Sequence, residues 1–242
     1  MQRPPHIPDS AAPVAADWLL WQLIDSAFPT GGFAHSAGLE AAHQQGELRD
    51  GAALASFLES AMLQMGRSSL PMVMSAHRDP ERFSEIDTFC DATLRSTVAN
   101  RASRAQGQAF LIAADRTFAS PTANPDIPSP LTELRNRVRR EQLPGHLVVV
   151  LGACTGILNL PRMTVAMASL FLTMRGMISA AVRLAIVGPM EAQAIQHDLS
   201  PIARWIAHRF IDLPLENVAQ SSPLIDILQG GHDRLYSRLF QS

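Results

Sequence analysis

Histidine and cysteine, the usual soft metal ligands, are spread along this 242-residue chain without local grouping. Cys90 and Cys154 lack CxxC spacing, so we expect two buried free thiols in a reducing cytosol. No HExxH motif and no pair of histidines four residues apart occurs, so no metal site is predicted within the chain, and a site shared between chains stays open. The histidines compared are His35, His43, His77, His146, His197, His208 and His232.

Nucleophilic and acid–base arrangements are equally hard to find in the sequence. There is no GxSxG motif, and His35 and Ser36 are neighbours in sequence, so their side chains rarely face each other. The chain has no lysine, which excludes a phosphate-binding P-loop, a Schiff base and a Ser-Lys dyad. No pair of carboxylates has a spacing that suggests acid–base work. We therefore predict a protein that is not an enzyme, has no catalytic residues and does not hydrolyse GTP.

One stretch, DSAFPTGGFAHSAGLE over residues 25–40, combines chain-breaking residues with side chains suited to binding; we call it the elbow. Pro29 pushes Phe28 out of the helical region, and the glycine pair that follows permits a turn through positive φ. Two aromatic rings and an imidazole beside such a turn suggest a partner-binding surface. The alternative is that the rings pack inward and the histidine is structural. The elbow residues predicted to bind a partner are Pro29, Thr30, Gly31, Gly32, Phe33, His35 and Ser36.

The elbow lies between two predicted helices, residues 17–27 and about 36–45. Four apolar residues of the first helix are expected to contribute to the core: Trp18, Trp21, Leu23 and Ile24. Thr30 or Ser36, named above, is suited to cap the second helix, and Gly46 is suited to end it.

Local signals also predict where later helices begin and end. Asp50 is suited to cap the third helix, and Pro71 and Pro201 each mark a restart. A helix spanning 81–118 without interruption is improbable on length, so a break is expected near residues 96–101. Residues 119–130 are rich in proline and are predicted to form a loop.

Residues 147–187 are the most apolar part of the chain, and Pro161 divides them into two helices. Neither part has about 18 uninterrupted apolar residues, so a buried helical hairpin is predicted. An alternative comes from VVVLGACTGILNL, Val148–Leu160, which is similar to the strand and glycine turn of dinucleotide-binding reductases. The match is weak, because the third glycine is missing and Pro161 interrupts the helix that should follow. We therefore interpret the glycines as allowing close helix packing and keep a nucleotide-binding reductase as a second functional hypothesis.

Composition limits the class of protein further. The net charge is −2 and 47% of the residues are hydrophobic, so neither nucleic-acid binding nor a membrane association is expected. Residues 1–13 contain four prolines and are predicted to be a disordered leader without a signal peptide. Residues 14–242 are predicted to form a single all-α domain of roughly eight to eleven helices around the apolar hairpin.

Three segments together resemble the urease accessory protein UreF family. Trp18–Ala42 carries the Leu-rich helix, Asp-Ser, Pro-Thr-Gly-Gly-Phe and Gly-Leu-Glu pattern of its N-terminal signature. RASRAQGQAF, Arg101–Phe110, and SAAVRLAIVGPMEAQ, Ser179–Gln193, follow in the same order as in the family. The last segment departs from the family, because it reads Val-Gly-Pro-Met where relatives have a Pro-Leu-Gly-Gln type of run.

The resemblance implies an all-α, non-catalytic urease maturation factor in the cytoplasm. Such a factor binds a UreD/UreH-type protein and recruits or regulates the GTPase UreG, so that nickel is inserted into apo-urease. Nickel is then handled by the complex, no cofactor is bound stably, and a homodimer within the complex is expected. The matching positions add Arg101, Gln106, Arg183 and Gln193 to the predicted partner-binding residues.

The C-terminal residues 232–242, HDRLYSRLFQS, are predicted to form a short amphipathic helix that binds the partner. Gly230 and Gly231 are expected to detach it from the domain. An apolar stripe with Tyr236 and Phe240 then lies beside a basic one with Arg234 and Arg238. So short a helix is marginal alone in water, and the alternative is that it docks on its own domain.

Overall fold

The computed structural model describes residues 16–119 and 127–242, and within these ranges the chain is helical without any strand. The predicted all-α class is therefore confirmed, whereas the proposed leader, residues 1–13, and most of the proline-rich loop lie outside the described residues. The helices are α1 (Ala16–Ile24), α2 (Leu39–Gln44), α3 (Gly51–Ser68), α4 (Leu70–Arg78), α5 (Phe83–Thr93), α6 (Thr97–Phe118), α7 (Pro130–Arg140), α8 (Leu147–Ile157), α9 (Arg162–Arg183), α10 (Pro189–Asp198), α11 (Ser200–Phe210) and α12 (Pro223–Gly231).

Short 3₁₀ turns complete the described structure at Gly32–Ala34, Pro80–Arg82, Leu215–Asn217 and His232–Arg234. Only Ser69 separates α3 from α4, and only Leu199 separates α10 from α11. At each division a proline is the second residue of the new helix, where the missing N–H interrupts the hydrogen-bond ladder.

Local capping explains several helix ends that the sequence predicts. Asp50 accepts a hydrogen bond from the Ala53 N–H at 2.9 Å, and so caps α3. Gly46 follows α2 with a φ of +80°, the conformation of a terminating glycine. The break before α6 lies at residues 94–96, at the early edge of the predicted interval, because Ser96 caps the Ala99 N–H.

Helix α1 buries Leu23 as expected, but its two tryptophans face outward. Leu19 and Leu23, four residues apart, are buried, whereas Trp18 and Trp21 are 62% and 60% exposed. The assignment of the two tryptophans to the core is therefore wrong. The leucine pair already forms the inward stripe, so the indoles fall on the opposite face of a helix with 3.6 residues per turn.

The core forms around α4, α8 and α9. Both apolar helices predicted from residues 147–187 are present, but α4 packs against each of them and is the main neighbour of α8. Gly152 and Gly156 make this approach possible, since a Cβ atom there would lie 2.3 Å from the carbonyl oxygen of Val73 and 2.2 Å from that of His77. The glycines thus serve close helix packing, and the reductase alternative is wrong because its expected strand is part of α8.

Among the described helices, α9 alone has the length and apolar composition of a membrane span. In its most apolar window, 56% of the residues are buried against the rest of the chain. That burial is what the sequence predicts for a core helix.

Candidate interaction site

The elbow is a strained turn between α1 and α2. Gly31 has a φ of +70° and opens the 3₁₀ turn, while Ala37 and Gly38 have φ values of +54° and +87°. The positive φ predicted for the glycine pair therefore holds for Gly31 but not for Gly32. The expected side-chain cap of α2 is wrong, because Gly38 occupies that position and makes no side-chain hydrogen bond.

The last residues of the chain cross this elbow, and we call residues 235–242 the strap. The Ser36 N–H donates to the Ser242 carbonyl oxygen at 2.6 Å, and the Gln241 N–H donates to the Ala34 carbonyl oxygen at 2.8 Å. The Ser36 hydroxyl also donates to Ser242 O at 3.1 Å. His35 Nδ1 lies 2.5 Å from the Ser242 hydroxyl. Strap and elbow are therefore one hydrogen-bonded unit.

A buried carboxylate anchors the strap from α2. Glu40 is 2% exposed, and its two oxygens accept hydrogen bonds from the N–H groups of Leu239 at 2.6 Å and Phe240 at 3.2 Å. His232 is fully buried beside them, with Nε2 at 3.2 Å from the Phe240 carbonyl oxygen and Nδ1 at 3.8 Å from Glu40. Buried backbone N–H groups need acceptors, and Glu40 supplies them.

The amphipathic helix predicted for residues 232–242 does not form. Helix α12 continues through Gly231, a 3₁₀ turn covers His232–Arg234, and the strap beyond is irregular. Tyr236 is fully exposed and Phe240 is buried, so they do not share a stripe. Glu40 accepts hydrogen bonds from the N–H groups of Leu239 and Phe240. In a helix, these groups would donate to the carbonyl oxygens four residues earlier. Docking on its own domain, the alternative considered from the sequence, is what the structure has.

Two arginines of α9 hold the elbow from below. Arg183 donates to the Phe33 carbonyl oxygen at 2.5 Å, and its guanidinium lies 4.3 Å from the centroid of the Phe240 ring. Arg175 lies 5.5 Å from the Phe33 ring centroid and 6.0 Å from that of Phe171, and it donates to the Ile24 carbonyl oxygen. Arg183 thus joins elbow to strap through a cation–π contact and a charge-assisted hydrogen bond.

Most of the predicted partner-binding residues meet at this elbow and strap. Arg101 reaches it by an ion pair of 3.0 Å with Asp233, which also faces Arg238 at 3.5 Å. Gln106 lies beneath, since a Cβ on Gly32 would stand 3.5 Å from its Oε1. Gln193 is not part of this surface, because it lines a separate groove on α10.

Two cavities of about 260 Å³ and 190 Å³ lie under the elbow and share walls that include His35 and Gln106. Burial raises the pKa of Cys90, which lines the larger one, to about 12, so its thiol stays protonated near neutral pH. Within residues 16–119 and 127–242, no three side chains of His, Cys, Asp or Glu are grouped to hold a metal ion.

A serine–histidine–aspartate arrangement escaped the sequence analysis. His146 is fully buried, with Nδ1 at 3.2 Å from Ser103 Oγ and Nε2 at 3.1 Å from Asp91. Ser103 Oγ also accepts the Leu147 N–H at 3.3 Å. In catalytic triads the serine pairs with Nε2; here the order is reversed and the imidazole is enclosed. We interpret the cluster as a structural link between α5, α6 and the start of α8.

Other residues that the sequence analysis did not select also matter. Glu40, His232 and Ser242 make the contacts that position the strap. Glu40 is the last residue of the elbow motif, and its position in that motif is the one feature of the sequence that could have indicated its role. The other two carry none, because Ser242 bonds to residues more than 200 positions away and His232 faces Glu40 from a distant part of the chain.

Two partly buried histidines, His35 and His77, predict a loss of stability as the pH falls below neutral. Burial lowers the pKa of His35, with further lowering by His232 and Arg101, and burial likewise lowers the pKa of His77. An unfolded histidine has a pKa of about 6.5. Below that pH the unfolded chain therefore binds protons that the folded chain does not, and unfolding becomes more favourable until the lowered folded pKa is reached.

We expect the melting temperature to fall between pH 7.5 and 5.5, and to fall less steeply in the double variant His35→Gln with His77→Gln. Carboxylates with lowered pKa values, such as Asp233, titrate below this window. His208→Gln, at an exposed position, is the control and should retain the parental slope. If the melting temperature of the double variant depends on pH as steeply as that of the parent, these two rings do not control the pH dependence.

The elbow glycines provide a matched pair of variants. Gly31→Ala forces a side chain into positive φ and should lower the free energy of unfolding by about 1–2 kcal/mol. No heavy atom lies within 4 Å of the added Cβ, so the cost is that of the backbone. Gly32→Ala has ordinary φ and contacts no closer than 3.5 Å, and should be near neutral. Equal denaturation midpoints for the two variants would contradict this account.

Comparison with known proteins gives matches over most of the chain. The UreF family model matches residues 48–200. Urease accessory protein F of Oryza sativa subsp. indica is 36% identical over 226 residues, covering 92% of this chain and 84% of the relative. The Arabidopsis thaliana protein of that name is 35% identical, covering 96% and 95%. Urease accessory protein UreF of Mycobacterium tuberculosis H37Rv is 30% identical, covering 93% and 98%. This chain therefore belongs to the UreF family of urease accessory proteins.

Proposed function

We propose that this protein is a non-catalytic scaffold for urease maturation in the cytoplasm. It binds a UreD/UreH-type protein and recruits or regulates a UreG-type GTPase, so that nickel is delivered to apo-urease. Nickel is the cargo of the complex, and the scaffold binds no cofactor stably. Within the complex the scaffold is a homodimer. Kinship with proteins named urease accessory proteins supports this role.

The observation that carries the proposal is the composite surface of elbow and strap. Phe33, Tyr236 and Leu239 are exposed there, next to Arg183 and Arg238. Exposed aromatic and arginine side chains are the types that dominate binding energy at protein interfaces. The contacts that hold the strap fix this surface before any partner arrives, which reduces the entropy lost on binding.

The role in the GTPase step is regulatory in this proposal. The chain has no lysine, so it cannot supply the P-loop lysine that conventional nucleotide hydrolysis requires. Purified protein should therefore hydrolyse no GTP above a mock preparation. GTPase activity that follows this protein through purification would overturn the regulatory role.

Deletion and complementation test the proposal. A strain lacking this protein should assemble urease without nickel, and the wild-type gene should restore urease activity and nickel content. Tyr236→Ala and Phe33→Ala should restore less activity and co-purify less of the UreD-type protein, while Met190→Ala, at an 84% exposed position on α10, should behave as wild type. Full urease activity in the deletion strain would refute the proposed function.

A further inference from the structure

A second binding surface lies on the outer face of α1, where two indole rings stand together in solvent. Trp18 and Trp21 contact each other edge to face, with centroids 6.3 Å apart. Both are more than half exposed, and paired exposed aromatic rings are typical of interaction sites. The fold does not use these rings, because the inward face of α1 is formed by leucines.

The two indoles form one side of a groove of about 580 Å³. Its lining includes Trp18, Trp21, Asp25 and Phe28. Phe28 is buried and packs against the rings of Phe110 and Phe118, at centroid distances of 5.3 Å and 5.9 Å. The groove therefore has a rigid aromatic floor that needs no rearrangement to accept a ligand.

Among the residues that the structure describes, Asp25 supplies the one ionisable side chain in the lining of the groove. Its Oδ1 accepts the Ala27 N–H at 2.6 Å, and no donor from the described residues bonds to Oδ2. Arg175 is the cation whose charge interacts with Asp25, but no ion pair between them forms within 4.0 Å in the described part of the chain. Helix α1 itself carries Asp17 in its first turn and no basic residue in its last.

Indole faces beside a carboxylate form an environment that favours a cation. The faces of tryptophan attract ammonium and guanidinium groups more strongly than those of other aromatic residues, and a carboxylate adds a charge-assisted hydrogen bond. We propose that this groove binds an arginine or lysine side chain presented by a partner protein during urease maturation. The proposal rests on the proposed function and adds a contact separate from the strap.

Variants of the groove test the proposal in the full-length protein. Trp18→Ala with Trp21→Ala removes the exposed rings without opening the core. Asp25→Asn keeps the acceptor for Ala27 and removes the charge. Trp205→Ala, at a 54% exposed position on α11, is the control. The probe is the UreD-type protein, UreG-type GTPase and apo-urease of the same organism, co-expressed and purified.

We expect the double tryptophan variant to bind this complex about tenfold or more weakly, as for loss of interface tryptophans elsewhere. Asp25→Asn should weaken binding severalfold and reduce its salt dependence. Trp205→Ala should bind as wild type. In a Trp205→Phe background, emission from the two remaining tryptophans should shift to the blue and become protected from acrylamide when the complex is added.

Several outcomes would overturn the proposal. Normal binding by Asp25→Asn, with weak binding by the tryptophan variant, would indicate an apolar ligand rather than a cation. A dimer that dissociates in the tryptophan variant would identify a second copy as the occupant. Tryptophans already protected from acrylamide in the free protein would show that the chain covers the groove itself.

The experiment separates failure of this inference from failure of the proposed function. Active urease in the deletion strain would refute the maturation role itself. A deletion strain without urease activity, fully restored by the double tryptophan variant and by Asp25→Asn, would refute the groove alone.

Discussion

Replacing Glu40 with alanine is expected to release the strap and lower the free energy of unfolding by about 3 kcal/mol. The carboxylate accepts the N–H groups of Leu239 and Phe240 in a buried position. Hydrogen bonds to charged groups contribute roughly 1.5–3 kcal/mol each, and unsatisfied buried donors are costly. If the strap detaches, these two N–H groups can form hydrogen bonds with water instead. The decrease in the free energy of unfolding is therefore limited to the free energy with which the strap docks on the domain.

Hydrogen exchange distinguishes strap release from general destabilisation. In Glu40→Ala, amides of residues 237–242 should exchange much faster, while those of α8 should retain most of their protection. Glu40→Gln keeps the shape and one acceptor and should show a smaller effect. Glu59→Ala, at an exposed position of α3, is the control. Unchanged exchange in the strap of Glu40→Ala would contradict the anchoring role.

Gly152→Ala is expected to lower the free energy of unfolding by about 2–3 kcal/mol, and the melting temperature by roughly 5–10 °C. The added Cβ would stand 2.3 Å from the Val73 carbonyl oxygen and 3.0 Å from the Ala76 Cβ. Both neighbours belong to α4, and the closest atom is a backbone oxygen. Rotation of a side chain cannot relieve a contact with the backbone, so α4 and α8 must move apart.

A glycine in open space provides the matched control. Gly176 lies within α9, and a Cβ there would have no neighbour within 4 Å. Gly176→Ala should therefore stabilise the protein by about 0.5–1 kcal/mol, because alanine loses less backbone entropy in a helix. Calorimetry on both variants measures the two effects with the same chemical change. If Gly152→Ala melts with or above the parent, α4 and α8 do not depend on this close approach.

Glu40→Ala and Gly152→Ala are expected to affect the elbow surface in different ways. Glu40 is part of the unit that positions the strap, so its replacement should reduce urease activation in cells even at temperatures where the core is folded. Gly152 is buried against α4, so Gly152→Ala should reduce activation only through the amount of folded protein.

Local signals in the sequence were sufficient for the helical class and for many helix ends. A cap such as Asp50 acts on an N–H three residues away, and a proline such as Pro201 acts on its own turn. The glycines of α8 were also interpreted correctly as packing residues, since no phosphate-binding pattern surrounds them. The elbow motif indicated the family for a related reason. Its residues are contiguous, and the turn depends on their own φ angles, so the whole pattern is visible in the sequence.

The face that each helix buries, and the form of the strap, were decided by tertiary structure. The spacing of apolar residues does not say whether Leu19 or Trp18 points inward, because both lie on apolar stripes and the neighbouring helices select one. Periodicity predicted a helix over the strap, but Glu40, about 200 positions earlier in the chain, satisfies its N–H groups instead. An interaction between residues so far apart leaves no local pattern, since only folding brings the carboxylate to those groups.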